Sequence, residues 1–339
     1  MVPMSEQPRK YSSQSVSSTT SKYDTVSEGV SQDDTDDSFH DCSDNQSQND
    51  DALRKRLSIQ LGKALRCGVD MDEQFYGSAY VDAWLLTFTQ GKGGIQFDAI
   101  FNKLIAGIEV EGRIDPKDEK NMNKIVKTLS ILKNETIRLK NKNRIKRLQQ
   151  CCVTLDTQDT YVCRVVNTAL REEDQSKLRT VGPFCYLLFN YISYHENHHS
   201  SISYRFRQLS QLFESEMTTL YRGDFISDEL FEEYQKSIDQ STIYFKWRSF
   251  ISTSTSEQVA RQYGDHNILY ELQLDHHSAE DQCIKLTSLT QFSEEKEILL
   301  RPGVRFRIIK IESHVCEFRH KIKIEILPSY ISSLYRAPF

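Results

Sequence analysis

Two carboxylates lie one residue apart at the head of an apolar run. Glu295 and Glu297 flank Lys296, and an Ile-Leu-Leu run follows. If Glu297 begins a strand, the two-residue period of a strand places both carboxylates on one face and Lys296 on the other. Such a pair is costly to place, because like charges repel and partial burial raises the pKa of at least one carboxyl group. A protein that tolerates this cost usually has a use for it, although the segment alone also fits a solvated Glu-rich turn.

Two further polar groups precede the carboxylates on predicted strands. One strand ends in Arg222 and Gly223, and a later strand runs into the hydroxyl cluster Ser252-Thr253-Ser254. Each group alone has an ordinary explanation, since an arginine is often a surface ion-pair partner and hydroxyls often cap strand ends. Their order along the chain, ahead of the two carboxylates, makes coincidence the weaker interpretation.

The order Arg, then Ser-Thr-Ser, then Glu-x-Glu resembles the signature of the arginine-specific mono-ADP-ribosyltransferases. The resemblance covers about half the chain, Tyr161 to Leu327, and includes four segments: Asn167 to Arg171, Leu220 to Gly223, Trp247 to Ser254 and Glu295 to Gly303. It implies an NAD(P)-dependent protein-arginine ADP-ribosyltransferase that uses NAD or NADP as co-substrate and no metal. Such an enzyme transfers ADP-ribose to an arginine guanidinium and releases nicotinamide.

The resemblance also implies which residues hold the dinucleotide. Arg222 grips the pyrophosphate, because its planar fork binds phosphate oxygens in a bidentate way. Gly223 presents its backbone to the nicotinamide carboxamide, with no side chain to interfere. Ser252, with Thr253 and Ser254 beside it, lines the nicotinamide pocket.

The two carboxylates receive different roles from the resemblance. Glu297 hydrogen-bonds the ribose 2′-hydroxyl and stabilises an oxocarbenium-like transition state, and Ser252 braces it. Glu295 binds the acceptor guanidinium and helps to remove its proton. Phe292 packs on the incoming side chain, or else is a loop residue tucked into the core. Two other functions stay open: NAD glycohydrolase activity, with water as the acceptor, and a catalytically silent interaction protein with the same fold.

The elements that must position these residues form an α+β pattern. Helical periodicity dominates up to about residue 214, with a break expected at Gly182-Pro183, and mostly antiparallel strands follow. The resemblance implies an ADP-ribosyltransferase-like fold with two sheets flanking an NAD cleft. The predicted catalytic domain spans residues 151–330, and residues 331–339 form a tail.

The first 150 residues lie outside the resemblance and divide by composition. Residues 1–51 carry eleven acidic and three basic residues and few large apolar groups, so we expect a disordered acidic arm. Residues 52–118 are predicted to form a small, mostly helical region of unknown role. Residues 119–150 are predicted to be a basic helical linker, since ten bases and one acid lie between Lys120 and Gln150.

Charge, cysteine spacing and hydropathy also bear on partners, metal sites and localisation. We expect the acidic arm to pair with the basic helix, in preference to contact of that helix with nucleic acid or a membrane. We expect the substrate to be an arginine-bearing protein. The eight cysteines show no zinc spacing, and a metal at His195, His198 and His199 is the weaker interpretation. No signal peptide and no run of eighteen apolar residues is found, so we expect an intracellular, cytoplasmic protein.

Overall fold

The structure, a computed structural model, describes eleven stretches of the chain: residues 9–12, 78–89, 95–158, 160–193, 217–238, 240, 242–262, 267–275, 282–286, 296–315 and 318–328. Some residues that the sequence singles out lie outside these stretches, namely Phe292, Glu295 and the histidines 195, 198 and 199. The acidic arm beyond residue 12 and the tail 331–339 lie outside them too.

Among the described residues, six helices precede the main strands, and they share one apolar core. They are α1 (Ala79–Thr89), α2 (Phe97–Gly112), α3 (Glu119–Glu135), α4 (Asn141–Asp156), α5 (Tyr161–Glu172) and α6 (Leu178–Ser193). Single 3-10 turns, Pro116–Asp118 and Gln175–Lys177, lead into α3 and α6. The packing follows the spacing of apolar residues: Ile100, Leu104 and Ile108 lie four residues apart on α2, and all three are buried.

The predicted basic linker is two helices rather than one. A turn at residues 136–140 separates α3 from α4, and both helices bury an apolar stripe in the helical core. On α3 the stripe is Met122, Ile125 and Leu129, while the lysines of this helix lie largely on its outer faces. Residues 119–150 therefore pack as part of the helical layer. The division of the chain into domains at 118/119 and 150/151 stays a prediction.

The break expected at Gly182-Pro183 is wrong. Helix α6 continues through both residues, and the interruption lies earlier, at Glu173, whose left-handed backbone (φ 54°) ends α5. Gly182 is a contact point, because a Cβ there would lie 2.2 Å from Cδ1 of Trp84. Close packing against α1 explains this glycine better than a helix end does.

In the part of the chain that the structure describes, nine strands form one hydrogen-bonded order, β1-β3-β8-β9-β5-β2-β4-β7-β6. The strands are β1 (Arg9–Ser12), β2 (Met217–Asp224), β3 (Ile243–Lys246), β4 (Ile251–Ser254), β5 (Ile268–Asp275), β6 (Cys283–Lys285), β7 (Glu297–Leu300), β8 (Arg305–Val315) and β9 (Phe318–Ile326). Strands β5 and β9 run parallel, and the other pairs are antiparallel. Helix α7 (Asp228–Ser237) follows β2, and the short α8 (Glu257–Ala260) follows β4.

Four residues of the predicted disordered arm belong to this sheet. Arg9–Ser12 pairs with β3 in antiparallel register and forms the outermost strand. Without this segment β3 would be the edge strand, and an extended segment can satisfy the unpaired backbone groups of such an edge whatever its hydropathy.

The sheet narrows to a single residue pair between β2 and β4, Tyr221 with Ser254. On one side of this joint lie six strands, and on the other lies the three-stranded sheet β4-β7-β6. The described part of the chain is thus helices followed by two mostly antiparallel sheets joined at one point, which confirms the predicted α+β class.

The three-stranded sheet lies between two apolar cores. Ile251, Ile298 and Leu300 belong to the core of the strands, whereas Phe250 and Leu299 belong to the helical core. Because successive side chains alternate across a strand, Ser252 and Glu297 face the helical side. Within the described residues, no helix is long and apolar enough to cross a membrane.

The close contact between Gly107 of α2 and the backbone of Thr180 in α6 gives a prediction. Alanine at this position gains about 1 kcal/mol of helix propensity. Its Cβ, however, would lie 1.9 Å from the backbone oxygen of Thr180, which cannot move away as a side chain can. We therefore expect Gly107→Ala to lower the free energy of unfolding by about 1–3 kcal/mol, measured by urea denaturation.

The exposed neighbour Ala106 supplies the control. Ala106→Gly should cost about 1 kcal/mol through helix propensity alone. A Gly107→Ala protein as stable as the wild type would contradict the packing described here.

Candidate active site

The site is built around Glu297, the first residue of β7. Its Cα pairs with that of Ser254 across the β4–β7 ladder, which places Ser252 diagonally opposite on the same face. The Ser252 hydroxyl donates a hydrogen bond of 2.5 Å to Oε1 of Glu297. Glu297 is only 9% exposed. The carboxylate is thus held in one orientation at the rim of the helical layer.

The other two hydroxyls of the cluster have structural partners. Thr253 Oγ1 donates to the backbone oxygen of Ile298 at 2.7 Å and so ties β4 to β7 on the opposite face. Ser254 Oγ accepts a hydrogen bond from the backbone N–H of Ser256 at 3.0 Å, at the start of α8. Thr253 thus adds a contact between the two strands that carry Ser252 and Glu297, and Ser254 supports the turn that follows β4.

Arg222 lies on β2 and contacts β4 across the single residue pair that joins the two sheets. Its Nη1 donates to the backbone oxygen of Ser252 at 3.0 Å, and its Nε donates to Oδ2 of Asp224 at 3.1 Å. Asp224 is 3% exposed, while the side chain of Arg222 is 23% exposed. The guanidinium is therefore held by a buried carboxylate and still reaches solvent. Gly223, between them, is buried and pairs with Leu269 of β5.

Helix α5 supports the connection that leads into β4. Asn167 Oδ1 accepts a hydrogen bond from the backbone N–H of Phe250 at 3.1 Å. Glu173, at the end of α5, forms an ion pair of 2.8 Å with Arg248, whose side chain is 9% exposed. Since Ser252 follows within two residues of Phe250, these contacts position it relative to the helices.

A buried carboxyl group of α4 lies close enough to Glu297 to interact with it electrostatically. Asp156, the last residue of α4, has an Oδ1 atom with no hydrogen-bond partner among the described residues. Burial, and secondarily the negative charge of Glu297, raises the pKa of Asp156 to about 7, while a hydrogen bond with the Cys163 side chain opposes this. The pKa of the Asp156 carboxyl is therefore shifted toward neutrality, and the negative charges of Asp156 and Glu297 disfavour each other.

The sequence reasoning missed Asp156 and Asp224. Asp224 could have been found, because residues two apart on a strand share a face and an acid there can anchor Arg222. Asp156 gave no signal, since an aspartate among threonine and glutamine at a helix end is ordinary. Its burial depends on packing that only the tertiary structure supplies.

The structure brings together Arg222, Ser252 and Glu297 and changes one expectation about the carboxylate pair. Lys296 has a left-handed backbone, with φ of 47°, so the two-residue alternation of β7 begins at Glu297 and does not extend across Lys296. Strand alternation therefore does not place Glu295 relative to Glu297, and the shared face of the two carboxylates stays a prediction, since Glu295 lies outside the described residues. No group of three or more His, Cys, Asp and Glu side chains that could hold a metal ion occurs in the described part of the chain.

Comparison with known protein families bears on this geometry. Residues 163–328, just under half of the chain, match the family described as ADP-ribosyltransferase exoenzyme. The match supports an ADP-ribosyltransferase family. It begins inside α5, includes Arg222, Ser252 and Glu297, and supports NAD-dependent ADP-ribosylation. A search of curated protein sequences found no significant match.

Solved structures of ADP-ribosyltransferases and bacterial effectors resemble the chain weakly. The type III effector XopAI from Xanthomonas axonopodis pv. citri is 13% identical, with a TM-score of 0.45, over 73% of this chain and 96% of its own. Exoenzyme S from Pseudomonas aeruginosa, in complex with human 14-3-3 protein beta and bound to Carba-NAD, is 12% identical (TM-score 0.38; 68% and 88% covered). The eukaryotic mono-ADP-ribosyltransferase ART2.2 in complex with NADH is 14% identical (TM-score 0.40; 74% and 92% covered). Values this low carry no inference about the substrate or partner of this chain.

The buried Asp156 gives a prediction about pH. Its pKa is raised in the folded protein, so between about pH 4 and about pH 7 the unfolded chain releases a proton that the folded protein keeps. The free energy of unfolding should therefore fall with rising pH in this window, by on the order of 4 kcal/mol for this group. Asp156→Asn cannot ionise, so it should flatten that decline and be more stable than the wild type at pH values above the window, as measured by denaturant titrations across pH.

The control for this prediction is Asp98→Asn. Asp98 is an exposed carboxylate whose pKa is lowered, chiefly by a hydrogen bond from Arg144. The contribution of Asp98 to the free energy of unfolding is lost only when the pH falls below this window. Asp98→Asn should therefore leave the pH dependence of the free energy of unfolding within the window unchanged. Equal pH slopes in the wild type and Asp156→Asn would contradict the assignment.

Proposed function

We propose that the chain is an NAD(P)-dependent protein-arginine mono-ADP-ribosyltransferase that transfers ADP-ribose from NAD or NADP to an arginine side chain of a protein substrate. The observation that carries this proposal is the chain of hydrogen bonds from Arg222 to the backbone of Ser252 and from the Ser252 hydroxyl to Glu297. These bonds link Arg222 on β2, through Ser252 on β4, to the carboxylate of Glu297 on β7.

Arg222 binds the pyrophosphate in this proposal. Asp224 and the Ser252 carbonyl oxygen fix the plane of its guanidinium, so little side-chain entropy is lost when phosphate oxygens bind. The buried Asp224 also keeps a compensating negative charge beside the arginine before the dinucleotide arrives. Gly223, Thr253 and Ser254 complete the dinucleotide-binding segment, with Gly223 facing the carboxamide.

Glu297 stabilises the charge that develops at the ribose. As the bond from C1′ to nicotinamide breaks, its electron pair neutralises the cationic pyridinium nitrogen and the positive charge passes to the ribose ring. A carboxylate that accepts a hydrogen bond from the ribose 2′-hydroxyl stabilises this charge most when its orientation is already fixed. The bond from Ser252 provides that fixation.

Glu295 binds and deprotonates the acceptor arginine in this proposal. A guanidinium nitrogen forms the new bond to C1′ and loses a proton, and a carboxylate is needed both to bind the cation and to take the proton. Phe292 packs on the incoming side chain. The choice of arginine as acceptor rests on the Glu at position 295, which the sequence resemblance associates with arginine as target.

Release of nicotinamide from NAD by the purified protein, with and without the arginine analogue agmatine, tests this function. We expect agmatine-dependent turnover, and a loss of about 10²–10³ in rate for Glu297→Gln, because the neutral amide no longer stabilises the developing charge. Glu295→Gln should lose transfer to agmatine while it retains hydrolysis of NAD.

Glu312→Gln is the matched control, since Glu312 lies on β8 and pairs with Lys310 at the surface. Its turnover should equal that of the wild type. Turnover that agmatine does not change would favour NAD glycohydrolase activity. A folded protein with neither turnover nor NAD binding would contradict the enzymatic proposal and favour the silent interaction protein.

A further inference from the structure

The turn between α3 and α4 exposes two aliphatic side chains between basic ones. Ile137 is 69% exposed and Leu139 is 40% exposed. They alternate with Arg138 and Lys140, and Lys142 follows in the first turn of α4; all three bases are exposed. We call residues 136–142 the basic tip. Single exposed aliphatic residues are common, but two within three residues at the end of a helical hairpin form a small apolar patch.

The backbone of the basic tip is held in place. Asn141 Oδ1 accepts a hydrogen bond from the N–H of Phe97 at 2.7 Å, and Asn141 Nδ2 donates to the oxygen of Ile95 at 3.1 Å. Within the turn, the N–H of Leu139 donates to the oxygen of Thr136 at 2.9 Å, and Thr136 is itself buried. The fold therefore presents Ile137 and Leu139 to solvent from an ordered backbone.

The charge around the tip is unbalanced. Two neighbouring bases, Lys133 and Arg144, share one partner, Asp98. No ion pair among the described residues involves Arg138, Lys140 or Lys142. The sequence from Lys120 to Gln150 offers a single acid against its ten bases. The basic tip thus combines exposed positive charge with exposed apolar surface.

We propose that the basic tip is a docking surface for an anionic phospholipid bilayer, with Ile137 and Leu139 inserted at the acyl boundary and the three bases at the headgroups. A bilayer of this kind satisfies both features at once. The acidic arm of the chain offers charge but few large apolar groups, and a nucleic acid backbone offers no apolar phase for the two aliphatic side chains. The proposal is independent of the catalytic function proposed above.

Co-flotation of the full chain with lipid vesicles tests the proposal. We expect binding to vesicles of phosphatidylcholine with phosphatidylserine, and not to phosphatidylcholine alone. Ile137→Ser/Leu139→Ser should weaken binding by about tenfold for each side chain, because the apolar contribution is removed. Arg138→Gln/Lys140→Gln/Lys142→Gln should weaken it about fivefold for each base.

Ile309→Ser/Lys310→Gln is the matched control, since it removes one exposed aliphatic side chain and one exposed base from β8. It should bind as the wild type does, and all variants should keep the wild-type Tm. Undiminished binding by Ile137→Ser/Leu139→Ser would overturn the proposal and indicate a purely electrostatic contact, of the kind a nucleic acid also makes. Failure of the folded full chain to bind anionic vesicles would overturn it as well.

Discussion

The register of the β4–β7 ladder is the constraint on which the site depends. Ile251, Ile298 and Leu300 must face the core of the strands, and Leu299 must face the helical core, so a slip of one residue would exchange the two sets. The same slip would turn Glu297 into the apolar core of the strands, where an unpaired carboxylate is very costly. The apolar alternation that stabilises the small sheet therefore also decides where the carboxylate points. The hydrogen bonds of Thr253 and Ser252 follow from that register rather than create it.

The narrow joint between the two sheets explains how Arg222 reaches this ladder. With one residue pair between β2 and β4, the strands diverge at once, and the arginine at the end of β2 spans the gap to the Ser252 carbonyl. The helical layer completes the arrangement, because Asn167 of α5 and Asp156 of α4 approach β4 and Glu297 from its side. The helices before residue 163 are thus structurally linked to the segment that matches the family, through a core that also contains Leu299.

Local pattern predicted much of this arrangement, and tertiary packing decided the rest. The strands of Arg222, Ser252 and Glu297 follow from alternation and from the position of polar residues at strand ends, so the trio could be found without a structure. The passage of α6 through Gly182-Pro183 could not, because contact with Trp84 overrides a local breaking signal. The charge of residues 120–150 obscured the apolar stripe of α3. The left-handed backbone of Lys296 interrupts the two-residue alternation of side chains that the sequence alone extends from β7 to Glu295. Asp156 became visible only when the helical core was assembled around it.

Calorimetric titration of NAD into the Glu297→Gln protein is the most direct test of the central claim, that Arg222 and the Ser252–Glu297 pair form one dinucleotide site. This variant should bind NAD one to one and consume it about 10²–10³ times more slowly than the wild type. Adding Arg222→Lys, which keeps the charge but loses the fork, should weaken binding at least about tenfold, since a lysine cannot hold two phosphate oxygens in the same plane. Equal affinity in the two folded variants, or no binding in either, would contradict the account.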